Sequence, residues 1–89
     1  MSTTIELTHP IQINGINTRQ LHCRRPKVRD MLAVEKMTKN DAEKEINLFA
    51  NLCEVTPDAL MELDMADYAK LQKVYQDFLS SHLETPDVP

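Results

Sequence analysis

The sequence predicts an α+β fold, an N-terminal β-hairpin packed against three to four α-helices. Three observations predict it. Residues 4–13, "TIELTHPIQI", alternate apolar and polar side chains, the period of a half-buried strand. Asn14-Gly15 follows at once and supplies the positive φ angles of a tight hairpin turn. From Pro26 onward, apolar residues recur at helical spacing behind capping residues.

In the first strand Ile5, Leu7, Ile11 and Ile13 share one parity. Pro10 has no N–H to give a ladder, so the strand lies at an edge or is interrupted there. Gly15 is the only glycine in the chain. Residues 16–24 return as the second strand, with Leu21 and Cys23 on one face. A lone hairpin is marginal in water, so its apolar face needs helices over it.

Pro26 suits a first helical turn, where its missing N–H removes no bond. Val28, Met31, Leu32 and Glu35 then follow helical spacing to about Met37. Asn40 with Glu43 reads as an N-cap and its reciprocal partner. The helix behind it runs to about Cys53 with Ala42, Ile46, Phe49 and Leu52 or Cys53 on one face. Thr56-Pro57-Asp58 puts a cap, a first-turn proline and a first-turn acid in order. It opens a short helix carrying Leu60, Met61 and Leu63. Asp64 caps the last helix, whose stripe is Met65, Tyr68, Leu71, Gln72, Tyr75, Phe78 and Leu79. One domain is expected over residues 1–82, with a flexible tail over 83–89, where two prolines break any period.

A chain of 89 residues buries only about 60–65% of its unfolded surface, so its core is thin and burial against a partner adds to it. The hydrophobic share of 42% argues against disorder. No run approaches the roughly 20 apolar residues of a membrane span, and the N-terminus lacks the pattern of a secretory signal. Cys23 and Cys53 have no clustered Cys or His partners, so no metal site is expected. They read as buried free thiols, with a disulfide between them left open.

Charge is unevenly placed. Residues 1–29 carry five cations and one acid, whereas residues 30–89 carry five lysines and thirteen acids. The cations are Arg19, Arg24, Arg25, Lys27 and Arg29. Duplex binding is disfavoured: the helical part would repel phosphate, and no aromatics interleave the arginines to stack bases. Two readings remain. One is a solvated edge with local pairing such as Arg24 to Asp30. The other is a basic face for an acidic partner, a second copy included, since opposite charge at two ends suits head-to-tail association.

Catalysis finds no support. His9 neighbours a proline on a strand, His22 points away from the Leu21 and Cys23 face, and His82 lies near the chain end. Ser80, Ser81 and His82 are adjacent in sequence, but a nucleophile and its base must meet in space with an orienting group. One glycine cannot build a phosphate loop. No cofactor is expected. Met31, Met37, Met61 and Met65, with Tyr68 and Tyr75 seven residues apart, read either as core or as an adaptable apolar face for a partner segment. The candidate partner-binding residues are therefore Arg24, Arg25, Lys27, Arg29, Met61, Met65, Tyr68 and Tyr75.

The stretch "LHCRRPKVRD" fits Leu-x-apolar-Arg-x-Pro-x-x-x-Asp through Leu21, Cys23, Arg24, Pro26 and Asp30. Leu52-Cys53, Thr56-Pro57, Leu60, Leu63 and Asp67-Tyr68 follow in order. Over residues 4–79 this resembles the small phage tail assembly proteins of the protein E type, from Mu-like and related contractile-tailed phages and prophages. The resemblance implies a non-catalytic chaperone in the cytoplasm of the bacterial host, absent from the mature virion. Its partners would be the tape measure protein and the tail tube protein, with a homo-oligomer as a further form. It also implies a longer frameshifted product, for which the codons of Asp77-Phe78-Leu79 are a candidate site. The chain departs from the pattern at Glu54, where many relatives carry a helix-stopping glycine. The competing reading is a small adaptor or regulatory domain that binds an acidic protein or nucleic acid through Arg24, Arg25, Lys27 and Arg29.

Overall fold

Asn14 and Gly15 take φ of 53° and 78°, and the turn they form joins β1 (Ser2–Ile13) to β2 (Ile16–Arg24). A side chain at Gly15 would meet nothing within 4 Å, so the backbone angle rather than space asks for glycine. The computed structural model describes residues 2–84, with side chains through residue 80. Four helices follow the hairpin: α1 (Val28–Glu35), α2 (Asp41–Cys53), α3 (Pro57–Met61) and α4 (Met65–Glu84). The fold is α+β, as the alternation and the caps predict. The chain-end expectations at His82 and residues 85–89 lie outside what is described.

Pro10 does interrupt the ladder. The antiparallel register runs from Ser2 opposite Arg24 to Glu6 opposite Gln20, and resumes at Ile11 opposite Thr18. Residues 7–10 therefore stand against Arg19 alone. This wide bulge keeps Ile5, Leu7 and Ile11 on the buried face while it takes three residues out of pairing.

The helices close over that face. α2 and α4 supply the centre of the core, with Leu21 and Cys23 of β2 beneath them. The Phe49 ring is buried at its middle, with the Tyr68 and Tyr75 rings tilted against it at 5.7 and 5.5 Å. The N-caps form where the sequence suggests, but Glu43 is not the reciprocal partner of Asn40: the Asn40 amide donates to Thr38 Oγ1, and the Glu43 carboxylate accepts from that hydroxyl. The amide of Glu43 donates to Asn40 Oδ1, that of Ala59 to Thr56 Oγ1, and that of Ala66 to Asp64 Oδ2. At the end of α2, Glu54 takes the left-handed conformation (φ 58°, ψ 44°), and the Val55 amide reaches back to the Ala50 carbonyl.

One element differs from its expected form. α1 stops at Glu35, not Met37, and closes with a turn in which the Met37 amide donates to the Val34 carbonyl. Its periodic positions Val28, Met31 and Leu32 are exposed, and its buried residues are Asp30 and Val34. The reason lies at its start. Arg24 grips both oxygens of Asp30, at 2.7 and 2.9 Å, and the Lys27 amide donates to the same carboxylate at 2.8 Å. Bidentate charge-assisted bonding turns the Asp30 side of the helix inward, and Val34, one turn on, follows it.

Candidate partner-binding surface

The basic segment is the link from β2 into α1, and its four cations have different surroundings. Arg24 is held by Asp30, as the local-pairing reading expects. Its guanidinium, then the Lys27 amide, overcome burial and keep the Asp30 carboxyl below its ordinary range. Arg25 lies over the Phe78 ring, 5.3 Å from its centre, and donates to the Phe78 carbonyl. Lys27 is the N-cap position of α1, and Arg29, two residues along, is exposed. Arg25, Lys27 and Arg29 thus border the exposed Val28, Met31 and Leu32.

The other candidates separate into core and surface. Tyr75 packs against Phe49 and is half-buried. Tyr68 packs on the other side of that ring, and its hydroxyl donates to Glu45 Oε1 at 2.6 Å. Burial, and then the Glu45 carboxylate, push its phenol pKa up. Met61 and Met65 are 60% and 78% exposed. With Ile46, Leu60, Leu63 and Tyr68 they line an apolar depression of about 220 Å³ between α2, α3 and the start of α4. The structure therefore brings Met61, Met65 and Tyr68 together, sets Tyr75 in the core, and places the basic segment elsewhere.

Two features lie outside the candidate surface, the first without a simple signal in the sequence and the second read there as buried thiols. The first is Asp67, fully buried on α4. Its two carboxylate oxygens accept from the Thr8 and His9 amides, both at 2.9 Å. Those are the amides that the bulge removes from the ladder, and Pro10, the third displaced residue, has none to satisfy. Lys70 sits 3.2 Å from Asp67 and donates to the Glu6 carbonyl and to Thr8 Oγ1. Burial alone would raise the Asp67 pKa, but the two amides and Lys70 outweigh it and bring it down to about 2. The second feature is the pair Cys23 and Cys53, free thiols in the core with sulfurs 2.6 Å apart. The neighbouring sulfur and burial push the Cys53 thiol pKa up.

Among the described residues no group of three His, Cys, Asp or Glu side chains is placed to hold a metal ion, and no helix is long and apolar enough to cross a membrane. Comparison with protein families finds a match, over residues 4–80, to the family described as "Phage tail assembly chaperone proteins, E, or 41 or 14". Comparisons with curated proteins and with solved structures give no match.

Proposed function

The chain belongs to the phage tail assembly chaperone family, and on that premise we propose that it is a non-catalytic chaperone that binds the tape measure protein and assists assembly of the tail tube. It acts in the cytoplasm of the bacterial host, on contractile tails, and leaves no copy in the mature virion. The observation that supports this reading most directly is the depression flanked by Met61 and Met65. Methionine is unbranched and adapts to whatever lies against it, so such a surface holds an apolar helical stripe without demanding one sequence. A long helical partner repeats such stripes, and this is the helix-in-groove mode of recognition. Glu62 and Asp64 beside the methionines favour cations flanking the stripe.

The competing nucleic-acid reading loses ground to the surroundings of the arginines. Arg24 is committed to Asp30 and Arg25 to Phe78. Lys27 and Arg29 alone are too few for the several phosphate contacts of a duplex binder. The test is co-expression with the tape measure protein encoded beside this gene. The wild-type chain should keep it soluble in a complex of defined mass by light scattering. Met61→Ser/Met65→Ser should leave it in the pellet. A tape measure protein that is insoluble with both, or soluble with both, speaks against the proposed role of this depression.

A further inference from the structure

Among the described residues eight large apolar side chains are exposed, and four of them, Val28, Met31, Leu32 and Met37, fall on α1 or just after it. They are 71%, 51%, 53% and 61% exposed. Val28, Met31 and Leu32 stand three and four residues apart, so they form one stripe along the outside of α1, away from the buried Asp30 and Val34. Four exposed cations share the segment. Lys27 stands at the start of α1, Arg29 and Lys36 run along one flank of the stripe seven residues apart, and Lys39 lies beyond the end. None of the four is in an ion pair among the described residues. The two acids of the segment are both neutralised, Asp30 by Arg24 and Glu35 by Lys44.

We propose that this segment is a membrane-surface site, by which the outer face of α1 lies on an anionic lipid bilayer. Val28, Met31, Leu32 and Met37 enter the boundary between headgroups and acyl chains, and Lys27, Arg29, Lys36 and Lys39 meet the lipid phosphates. The attachment is to one leaflet, and no described helix is long and apolar enough to cross it. Shape favours a lipid over a protein here. A partner helix needs a groove, which the Met61 and Met65 depression offers, whereas the outer face of one short helix is a ridge. A fluid bilayer closes around a ridge. Composition points the same way. Three of the four unpaired cations are lysines, which protein interfaces deplete, whereas attraction to a lipid surface needs only positive charge near its plane. A nucleic acid would leave the apolar stripe without a role. The rest of the chain sets the orientation: residues 40–89 carry three lysines and eleven acids, so the same bilayer repels them and only the α1 side faces it. The site is also separate from the methionine depression. α1 packs along the side of α2 that carries Lys44, and α3 along the side that carries Ile46. Two residues of a helix are roughly 200° apart around its axis, so the two surfaces look different ways.

The test is co-sedimentation of the full chain with lipid vesicles. Vesicles of phosphatidylcholine with about a third phosphatidylglycerol should carry the chain into the pellet at low salt, and vesicles of phosphatidylcholine alone should not. In about 1 M salt, where charges are screened within a few ångströms, the bound fraction should collapse. Arg29→Gln/Lys36→Gln and Met31→Ser/Leu32→Ser should each weaken partitioning at least about tenfold. Their far-UV spectra and thermal midpoints should stay close to wild type, since all four side chains are exposed. Met61→Ser/Met65→Ser should partition as wild type does. Leu32→Trp gives the chain its only tryptophan, whose emission should shift to the blue on the anionic vesicles and be quenched by brominated acyl chains. A chain that stays in the supernatant with anionic vesicles overturns the proposal and leaves the α1 face to an acidic protein. Equal binding by all three double variants overturns it too, and so does a tryptophan at position 32 that stays in water. The tape measure protein takes no part in these measurements, so their outcome is separate from that of the depression.

Discussion

Asp67→Asn is the substitution that tests most of the fold at one atom. The carboxylate has two oxygens and each accepts one amide, Thr8 N–H and His9 N–H, at 2.9 Å. Asparagine keeps one acceptor and turns an NH₂ towards the other amide, which is itself a donor. One charge-assisted bond is lost, at about 1.5–3 kcal/mol, and a buried N–H is left unmet, at about 1–3 kcal/mol. The attraction of Lys70 is lost as well. A destabilisation of about 3 kcal/mol is expected, against a total of about 4–13 kcal/mol for a chain of this length at the usual stability per residue. The thermal midpoint should drop by roughly 12–24 °C, at about 4–8 °C per kcal/mol for a domain of this size. Urea unfolding followed by far-UV dichroism reads the energy, and amide exchange at Thr8 and His9 reads the cause. Asp64→Ala, which removes an exposed cap at the start of the same helix, is the control and should cost only about 1 kcal/mol. An Asp67→Asn loss no larger than that of the control, with exchange at Thr8 and His9 unchanged, would refute the claim that α4 satisfies the bulge.

Three further outcomes follow from the same geometry. Because the Asp67 pKa is lowered from 3.8 to about 2, folding gains stability that is fully present above pH 4 and is lost as the pH falls towards 2. The loss should be about 2 kcal/mol from Asp67 alone, and Asp30, shifted the same way, adds to it; acid titration of the unfolding free energy checks the slope, which Asp67→Asn should flatten. Glu54→Gly should stabilise the chain by about 0.5–1 kcal/mol, since release of left-handed strain exceeds the added freedom of the unfolded state, and a urea midpoint at or below wild type would count against it. Treatment with oxidised glutathione should join Cys23 to Cys53 within one chain, with loss of two free thiols; the loop of about 30 residues gives a stabilisation of about 3–4 kcal/mol in the chain-entropy treatment, and formation of only mixed or intermolecular disulfides would contradict the pairing seen in the core.

What was legible in the sequence was local chemistry. Asn14-Gly15, Asn40 with Glu43, Thr56-Pro57 and Asp64 each act on backbone groups within a few residues, so their types alone announce the turn and the caps. Pro10 announced an interruption but not its size, and nothing near it announced that an acid 57 residues later would hold the displaced amides. α1 misleads for a physical reason. Helical spacing selects Val28, Met31 and Leu32 as a stripe, but spacing does not say whether another element covers the stripe, and the grip of Arg24 on Asp30 rotates it outward. The candidate surface divided along the same line. Tyr68 and Tyr75 share a face with the core because Phe49 lies opposite them, whereas Met61 and Met65 fall where no described element lies over them.

The exposed methionines gain an account if many copies serve one long partner. A single shallow depression of about 220 Å³ binds one helical stripe weakly, because ordering the flexible methionines offsets part of the gain. A partner that repeats the stripe offers many such sites, so its coverage rises with the supply of the chain. Substitutions at Met61 and Met65 weaken every one of those contacts, and they should weaken tape measure solubilisation at every concentration.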